Sequence, residues 1–173
     1  MAANRDDSVP GEAMGRAAYG RALPLAGLVI LADQLTKWWI LGLMDPPRQI
    51  EVTPFFNLVL AWNRGVSFSL FHSGAAYAPY ILSAVALAVV AGLLWWLGRM
   101  ERALPTLAIG LVVGGALGNV IDRLYHGAVV DFLDVHAVGW HWPAFNLADS
   151  AITLGVAGLV IDGLFGGPDR DKT

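Results

Sequence analysis

Four apolar stretches govern what this chain can fold into. Ala22 to Met44 is broken only by Asp33 and Lys37, Ala75 to Gly98 and Ala103 to Ile121 carry no charge, and Phe145 to Phe165 carries Asp149 and Asp162. A hydrocarbon core ~30 Å thick needs roughly 20 apolar residues to cross as a helix. Backbone N–H and C=O groups find no water there, so a helix, which satisfies them internally, is the form each stretch should take. Composition agrees. Of 173 residues, 56% are hydrophobic and 14% charged, against about a quarter charged in an ordinary soluble domain. The expected fold class is therefore an all-α integral membrane protein of four transmembrane helices.

The same numbers exclude other classes. A net charge of −3 with no basic stripe argues against nucleic acid as a partner. The absence of cysteine removes disulfides, thiolate nucleophiles and Cys-ligated zinc together. The first apolar stretch is too long for a cleaved leader, is interrupted by charge, and has no small-x-small site after it, so it reads as a retained helix. Residues 1–21 (MAANRDDSVPGEAMGRAAYGR) are polar and patternless and read as a disordered tail. Residues 22–166 form the membrane domain, with loops 45–74 and 123–144, and 167–173 form a second tail.

Lysine and arginine set the expected orientation. Arg5, Arg16, Arg21, Arg99, Arg102, Arg170 and Lys172 flank one side, Arg48, Arg64 and Arg123 the other, and Lys37 lies within a helix. The positive-inside rule then puts both termini in the cytoplasm and the loops 45–74 and 123–144 outside. Trp95-Trp96 and Trp38-Trp39 suit the inner and outer interfaces. In the first outer loop, Leu58, Leu60 and Trp62 alternate with Asn57, Val59 and Ala61. After Asn63-Arg64-Gly65, Val66, Phe68 and Leu70 alternate with Ser67 and Ser69. Period-two alternation about a Gly-containing turn predicts a small β-hairpin or cradle.

Polar residues kept in or near a membrane span mark function by default. Asn119 and Asp122, three apart, share a face at the outer end of the third helix. Asn146 and Asp149 repeat the spacing at the outer end of the fourth, where Pro143 suits a helix start. Asp131, Asp134, Asp33 and Asn63-Arg64 belong to the same half. Duller roles exist. Asp33–Lys37 suits an i, i+4 ion pair, Asp122-Arg123 a pair at the headgroups, and Asn146 a helix cap. Asp162 reads as solvated, and Gly110, Gly114 and Gly118 as close helix packing.

Chemistry narrows the choice. Two carboxylates held together share one proton, because both cannot ionise at once. One then serves as general base on a water while the other polarises a carbonyl, which is aspartic peptide hydrolysis. Three alternatives compete. A Ser-Lys protease would pair Lys37 with Ser67 or Ser150, and a metalloprotease would use Asp131, Asp134, His136 and His141. A proton or ion carrier would also use buried Asp and Asn. Spacing alone favours Asp122, with its Asn119 neighbour, as readily as any other outer aspartate.

Four ordered blocks, ADQLTKWWI, NRGVSFSL, GGALGNVIDRLYHGAVVDFLDV and PAFNLADSAITLG, resemble those of the lipoprotein signal peptidase (signal peptidase II) family over most of residues 25 to 165. The resemblance implies a multi-pass inner-membrane aspartic endopeptidase acting at the periplasmic face, and a monomer is expected. Its substrates would be diacylglyceryl-modified prolipoproteins, cut just before the lipid-bearing cysteine. It implies Asp131 and Asp149 as the catalytic pair. Asp33, Lys37, Asn63, Arg64, Gly65, Asn119, Asp122, Arg123, Asn146 and Ala148 would support the site or touch substrate. No metal or cofactor is expected, and membrane lipids are the other partners.

Overall fold

The structure is a computed structural model that describes residues 10–65 and 77–166. Four helices, α1 (Pro10–Leu43), α2 (Ala78–Leu97), α3 (Ala103–His126) and α4 (Leu147–Phe165), are each long and apolar enough to cross a membrane. Within its most apolar window α3 is 67% buried, against 28% or less for the others. It is thus the central helix, and α1, α2 and α4 turn most of their apolar surface outward. Small residues permit this crowding. A Cβ added at Gly110 or Gly114 would come within 2.8 Å of the backbone oxygen of Ala22 or Ala26 in α1, and one at Gly155 within 2.6 Å of Ala108 O. Helices without a hydrophobic drive to associate gain from such close approach through dispersion.

Three expectations need correction. Helix α1 begins at Pro10, so residues 10–21 are not a structureless tail. Proline is favoured in a first turn, where its missing N–H costs nothing. Ala18 and Ala22 are buried with Leu97 and Ile109, and the Tyr19 hydroxyl donates to Leu94 O at 2.7 Å. Helix α3 continues past Ile121 to His126 and stops at Gly127, whose φ of 71° is the left-handed conformation glycine accepts freely. Arg123 is therefore helical rather than part of a loop. Asp162 is not simply solvated, because its Oδ1 lies 2.8 Å from Arg102 Nη2 and so ties the end of α4 to the start of α3.

The loops build more than a hairpin. Strands β1 (Ile50–Thr53), β2 (Phe56–Asn63), β3 (Val129–Ala137) and β4 (Trp140–His141) form one antiparallel sheet in that order, so the chain is not all-α. The alternation at 57–62 is indeed a strand, but its neighbours are β1 and the distant β3. The proposed second arm, 66–70, lies outside the described residues. Between the pairs Leu58↔Leu133 and Ala61↔Asp131, β2 advances one residue more than β3. Such a bulge bends and re-aims a strand, and it falls beside Asp131. The sheet sits at the bundle end formed by the last turns of α1 and α3 and the first turn of α4.

Candidate active site

Asp149 occupies the third position of α4, and the helix start determines its surroundings. Asn146 is the N-cap, where its Oδ1 accepts from Asp149 N at 2.9 Å while Asp149 Oδ2 accepts from Asn146 N at 3.1 Å. This reciprocal capping box satisfies two N–H groups that a helix start leaves open. Asp149 is therefore less isolated than its place in the sequence suggests. Pro143 lies ahead of the cap and is not the start itself. The Asn146 side chain does more than cap, since its Nδ2 donates to Asp131 Oδ1 at 2.7 Å. Asn119 Nδ2, from α3, donates to Asp149 Oδ1 at 2.8 Å. One buried asparagine thus holds both carboxyl groups, one from a strand and one from a helix.

Beneath the pair lies a buried charged layer. Lys37 Nζ is 2.8 Å from Asp33 Oδ2, 2.9 Å from Asp122 Oδ2 and 3.1 Å from Asn119 Oδ1. The ammonium donates to Asp33 and Asn119 and forms an ion pair with Asp122. The Asp33–Lys37 pair exists, but as part of this layer. Asp122 is 2% exposed and faces Lys37, so it is no headgroup pair with Arg123, because the extra turns of α3 carry it inward beneath the sheet. Its Oδ2 also accepts from Val130 N at 3.0 Å, anchoring β3 one residue before Asp131. Asp33 Oδ1 accepts from Ala148 N at 3.1 Å. A Cβ on Gly118 would come 2.6 Å from Asp33 Oδ2 and 3.5 Å from the Ala148 Cβ, so the glycine stripe ends by making room for a carboxylate.

The remaining expected residues surround this layer. Arg123 Nη1 reaches Asn119 O at 3.5 Å, and its guanidinium feels the charges of Asp149, Asp131 and Asp122. Asn63 and Arg64 are exposed at the end of β2. Asn63 Oδ1 accepts from Gly65 N at 2.8 Å, and Gly65 takes φ 75°, which glycine adopts without strain. One participant was overlooked in the sequence. Gln34 Nε2 lies within 3.1 Å of both Asp33 Oδ2 and Asp122 Oδ1. It follows Asp33 directly, and adjacency in a span was the available signal.

Burial pushes the Asp131 carboxyl up to about 6, and the charge of Asp149 adds to this; the amides of Asn63 and Asn146 and the charge of Lys37 pull the other way. Asp134 behaves differently. Burial raises it, but hydrogen bonds from Asn57 and His141 and the charges of His141 and His136 hold it below the ordinary carboxylate range. It pairs with His141 at 2.8 Å and stands apart from the Asp131–Asp149 pair. Among the described residues, Asp131, Asp134, His136 and His141 form no cluster able to hold a metal ion. Lys37 Nζ is engaged with Asp33, Asn119 and Asp122 rather than with a serine, and Ser150 Oγ donates to Asn146 O at 3.0 Å. Ser67 lies outside the described residues.

Comparison with known proteins shows the family. The family described as Signal peptidase (SPase) II matches residues 25–165. A lipoprotein signal peptidase of Pseudoalteromonas atlantica is 44% identical over 144 residues, covering 82% of this chain and 88% of that protein. One of Paraburkholderia phymatum is 46% identical over 143 residues, covering 82% and 86%. Two solved structures described as a bacterial membrane enzyme share the fold. One has a TM-score of 0.76 and 32% identity, covering 86% of this chain and 95% of its own; the other has a TM-score of 0.74 and 30% identity, covering 89% and 93%. With a match across most of its length and the fold in common, this chain belongs to the signal peptidase II family, the lipoprotein signal peptidases.

Proposed function

We propose that this protein removes the signal peptide of diacylglyceryl-modified prolipoproteins by aspartic catalysis, with Asp131 and Asp149 as the reacting pair. The observation that carries the reading is the single buried Asn146 bound to both carboxyl groups, at 2.7 Å to Asp131 Oδ1 and 3.1 Å to Asp149 Oδ2. Two acids held by one hub can divide the work of acid and base. The ionised member takes a proton from water as it attacks the scissile carbonyl, and the protonated member donates to that carbonyl's oxygen. Burial suits Asp131 to this task, since a carboxyl poised near 6 changes state readily at neutral pH.

Asn119 and Asn146 orient the carboxyl groups, and the Asp33–Lys37–Asp122 layer anchors the helices and strand that carry them. Arg123 balances the charge of the pair, while Asn63, Arg64 and Gly65 line the approach of the peptide. The site opens at one membrane face, which the lysine and arginine distribution makes the periplasmic one. A lipid-held peptide would present its bond there while its acyl chains stay in the bilayer. Every group named in this site lies on one chain, and we read the enzyme as a monomer. The test is cleavage of lipidated and unlipidated prolipoprotein by wild type, Asp131→Asn and Asp149→Asn. Both variants should insert and fold yet lose cleavage, and only lipidated substrate should be cut by wild type. Substantial turnover by either variant refutes the dyad.

A further inference from the structure

The far half of β3 and strand β4 form an arm at the edge of the sheet, and its two faces differ completely. Ala137 pairs with Trp140 and His136 with His141, while Trp142 N donates to Val135 O at 2.8 Å. Successive side chains of a strand point to opposite faces, so Val135, Ala137, Trp140 and Trp142 share one face. Asp134, His136 and His141 share the other. On the polar face the two imidazoles stack at 4.7 Å, His141 bonds Asp134, and Asn57 Nδ2 donates to Asp134 at 2.9 Å. The apolar face is bare. Trp140 is 60% and Trp142 56% exposed, and the two rings meet edge to face at 5.5 Å.

The tip is more unusual still. Val138 is fully exposed at φ 51°, followed by Gly139 at φ 79°. A two-residue hairpin turn with both φ values positive favours Asn, Asp or Gly at its first position. A β-branched residue there is a genuine outlier. The chain thus accepts backbone strain in order to present an apolar group where a polar one would fit more easily.

We propose that this arm is a membrane-surface anchor, with its apolar face and Val138 tip seated in the interfacial zone of the bilayer, and that this seating sets the height of Asp131. Continuity with the lipid-facing belt identifies the occupant. Of the seven tryptophans, Trp38 and Trp39 lie in the last two turns of α1, and Trp62, Trp140 and Trp142 lie on or beside the sheet at the same end. Tryptophan is the residue of the membrane–water interface. Trp142 also precedes Leu147, the first residue of the spanning helix α4, by only five positions, so the arm cannot stand far from the headgroups. A large bare apolar patch is rare on a surface that faces water alone. The arm is also stiff. From Ala137 to Asp131 the chain is continuous strand, about 20 Å at the rise of a β-strand, so the depth of the tip bears on the depth of Asp131.

The role given to Asp131 rests on the catalytic reading above, but the anchor itself does not, and the experiment separates them. The chain has no cysteine, so Val138→Cys accepts a single environment-sensitive fluorophore, with Glu51→Cys on exposed β1 as control. In vesicles of phosphatidylethanolamine and phosphatidylglycerol, the label at 138 should emit as from an apolar medium and lose most of its emission to doxyl-labelled lipid, while that at 51 does neither. Identical behaviour at both positions overturns the anchor. Contact between labels that grows with protein-to-lipid ratio and ignores doxyl lipid overturns it in favour of a second copy. The combined Trp140→Ser and Trp142→Ser variant should lower kcat on lipidated substrate in vesicles several-fold, and Trp140→Tyr with Trp142→Tyr should restore it. An unchanged kcat with the label still inserted overturns the link to Asp131 alone.

Discussion

Replacing Asn146 by serine separates the two tasks of that residue. Serine keeps an oxygen for the N-cap of α4 and caps about as well as asparagine, but it has no amide to give Asp131. The bond lost is 2.7 Å long and entirely buried. A hydrogen bond to a charged partner contributes about 1.5–3 kcal/mol. If it acts on the transition state, the loss is about 13-fold to about 160-fold in kcat/KM, at about 1.36 kcal/mol per decade. The direction of the pH effect follows too. Burial raises Asp131 to about 6 and the amide, which bonds its ionised form, offsets part of that rise, so in the serine variant the limb of the pH–rate profile that reports this group should move to higher pH. The assay is cleavage of a diacylglyceryl-modified prolipoprotein across about pH 5 to about pH 8, with thermal unfolding measured alongside. Asn146→Ala should show the same kinetic loss and a further ~1 kcal/mol of instability from the missing cap. If the serine variant cleaves at the wild-type rate with an unmoved limb, Asn146 is a cap only and the reasoning about the pair fails.

Other outcomes follow from the same geometry. Asp131→Asn should abolish cleavage yet unfold at an equal or higher temperature than wild type at neutral pH. A carboxyl raised from 3.8 to about 6 by folding contributes stability at low pH that is lost as pH rises through that window, so the gain should vanish below about pH 4. Lys37→Met leaves Asp33 and Asp122 facing each other without their shared cation, and breaking such a buried pair costs about 3–5 kcal/mol; thermal unfolding in detergent measures it, and a loss under about 1 kcal/mol would contradict the layer described. Gly118→Ala should destabilise by about 1–3 kcal/mol, because its Cβ meets Asp33 Oδ2 at 2.6 Å. Gly92→Ala, with nothing within 4 Å of the added methyl, should be neutral or stabilising.

What could be read from the sequence was what the bilayer dictates. The four spans follow from apolar length, because no other structure satisfies the backbone in lipid. Asp149 stood out because a carboxylate near a span needs a reason. Asp131 did not, since it lies on a strand while periodicity compares residues within one helix; only the order of the motif blocks singled it out. The sheet was half visible for a related reason. The alternation at 57–62 identified β2, but its partner β3 lies some 70 positions away, and strand pairing across that distance leaves no local trace. Residues 10–21 looked like a tail because their apolar content is low, whereas Ala18 packs through smallness rather than hydrophobicity. Lys37 showed its nearest partner, Asp33, and hid Asp122, because that contact depends on how α1 and α3 pack.

The capping box of α4 has a consequence for how the protein comes into being. Four separate stretches of chain meet at the site: α1 with Asp33 and Lys37, α3 with Asn119 and Asp122, β3 with Asp131, and α4 with Asn146 and Asp149. The hydrogen bonds that start α4 are also those that hold Asp149 and place the amide on Asp131. Starting the last helix and completing the proposed catalytic centre are therefore one event. A nascent chain that has threaded only three helices into the bilayer holds Asp131 but neither Asp149 nor the Asn146 amide. On the proposed assignment, an unfinished copy lacks half of the pair that would cut its neighbours.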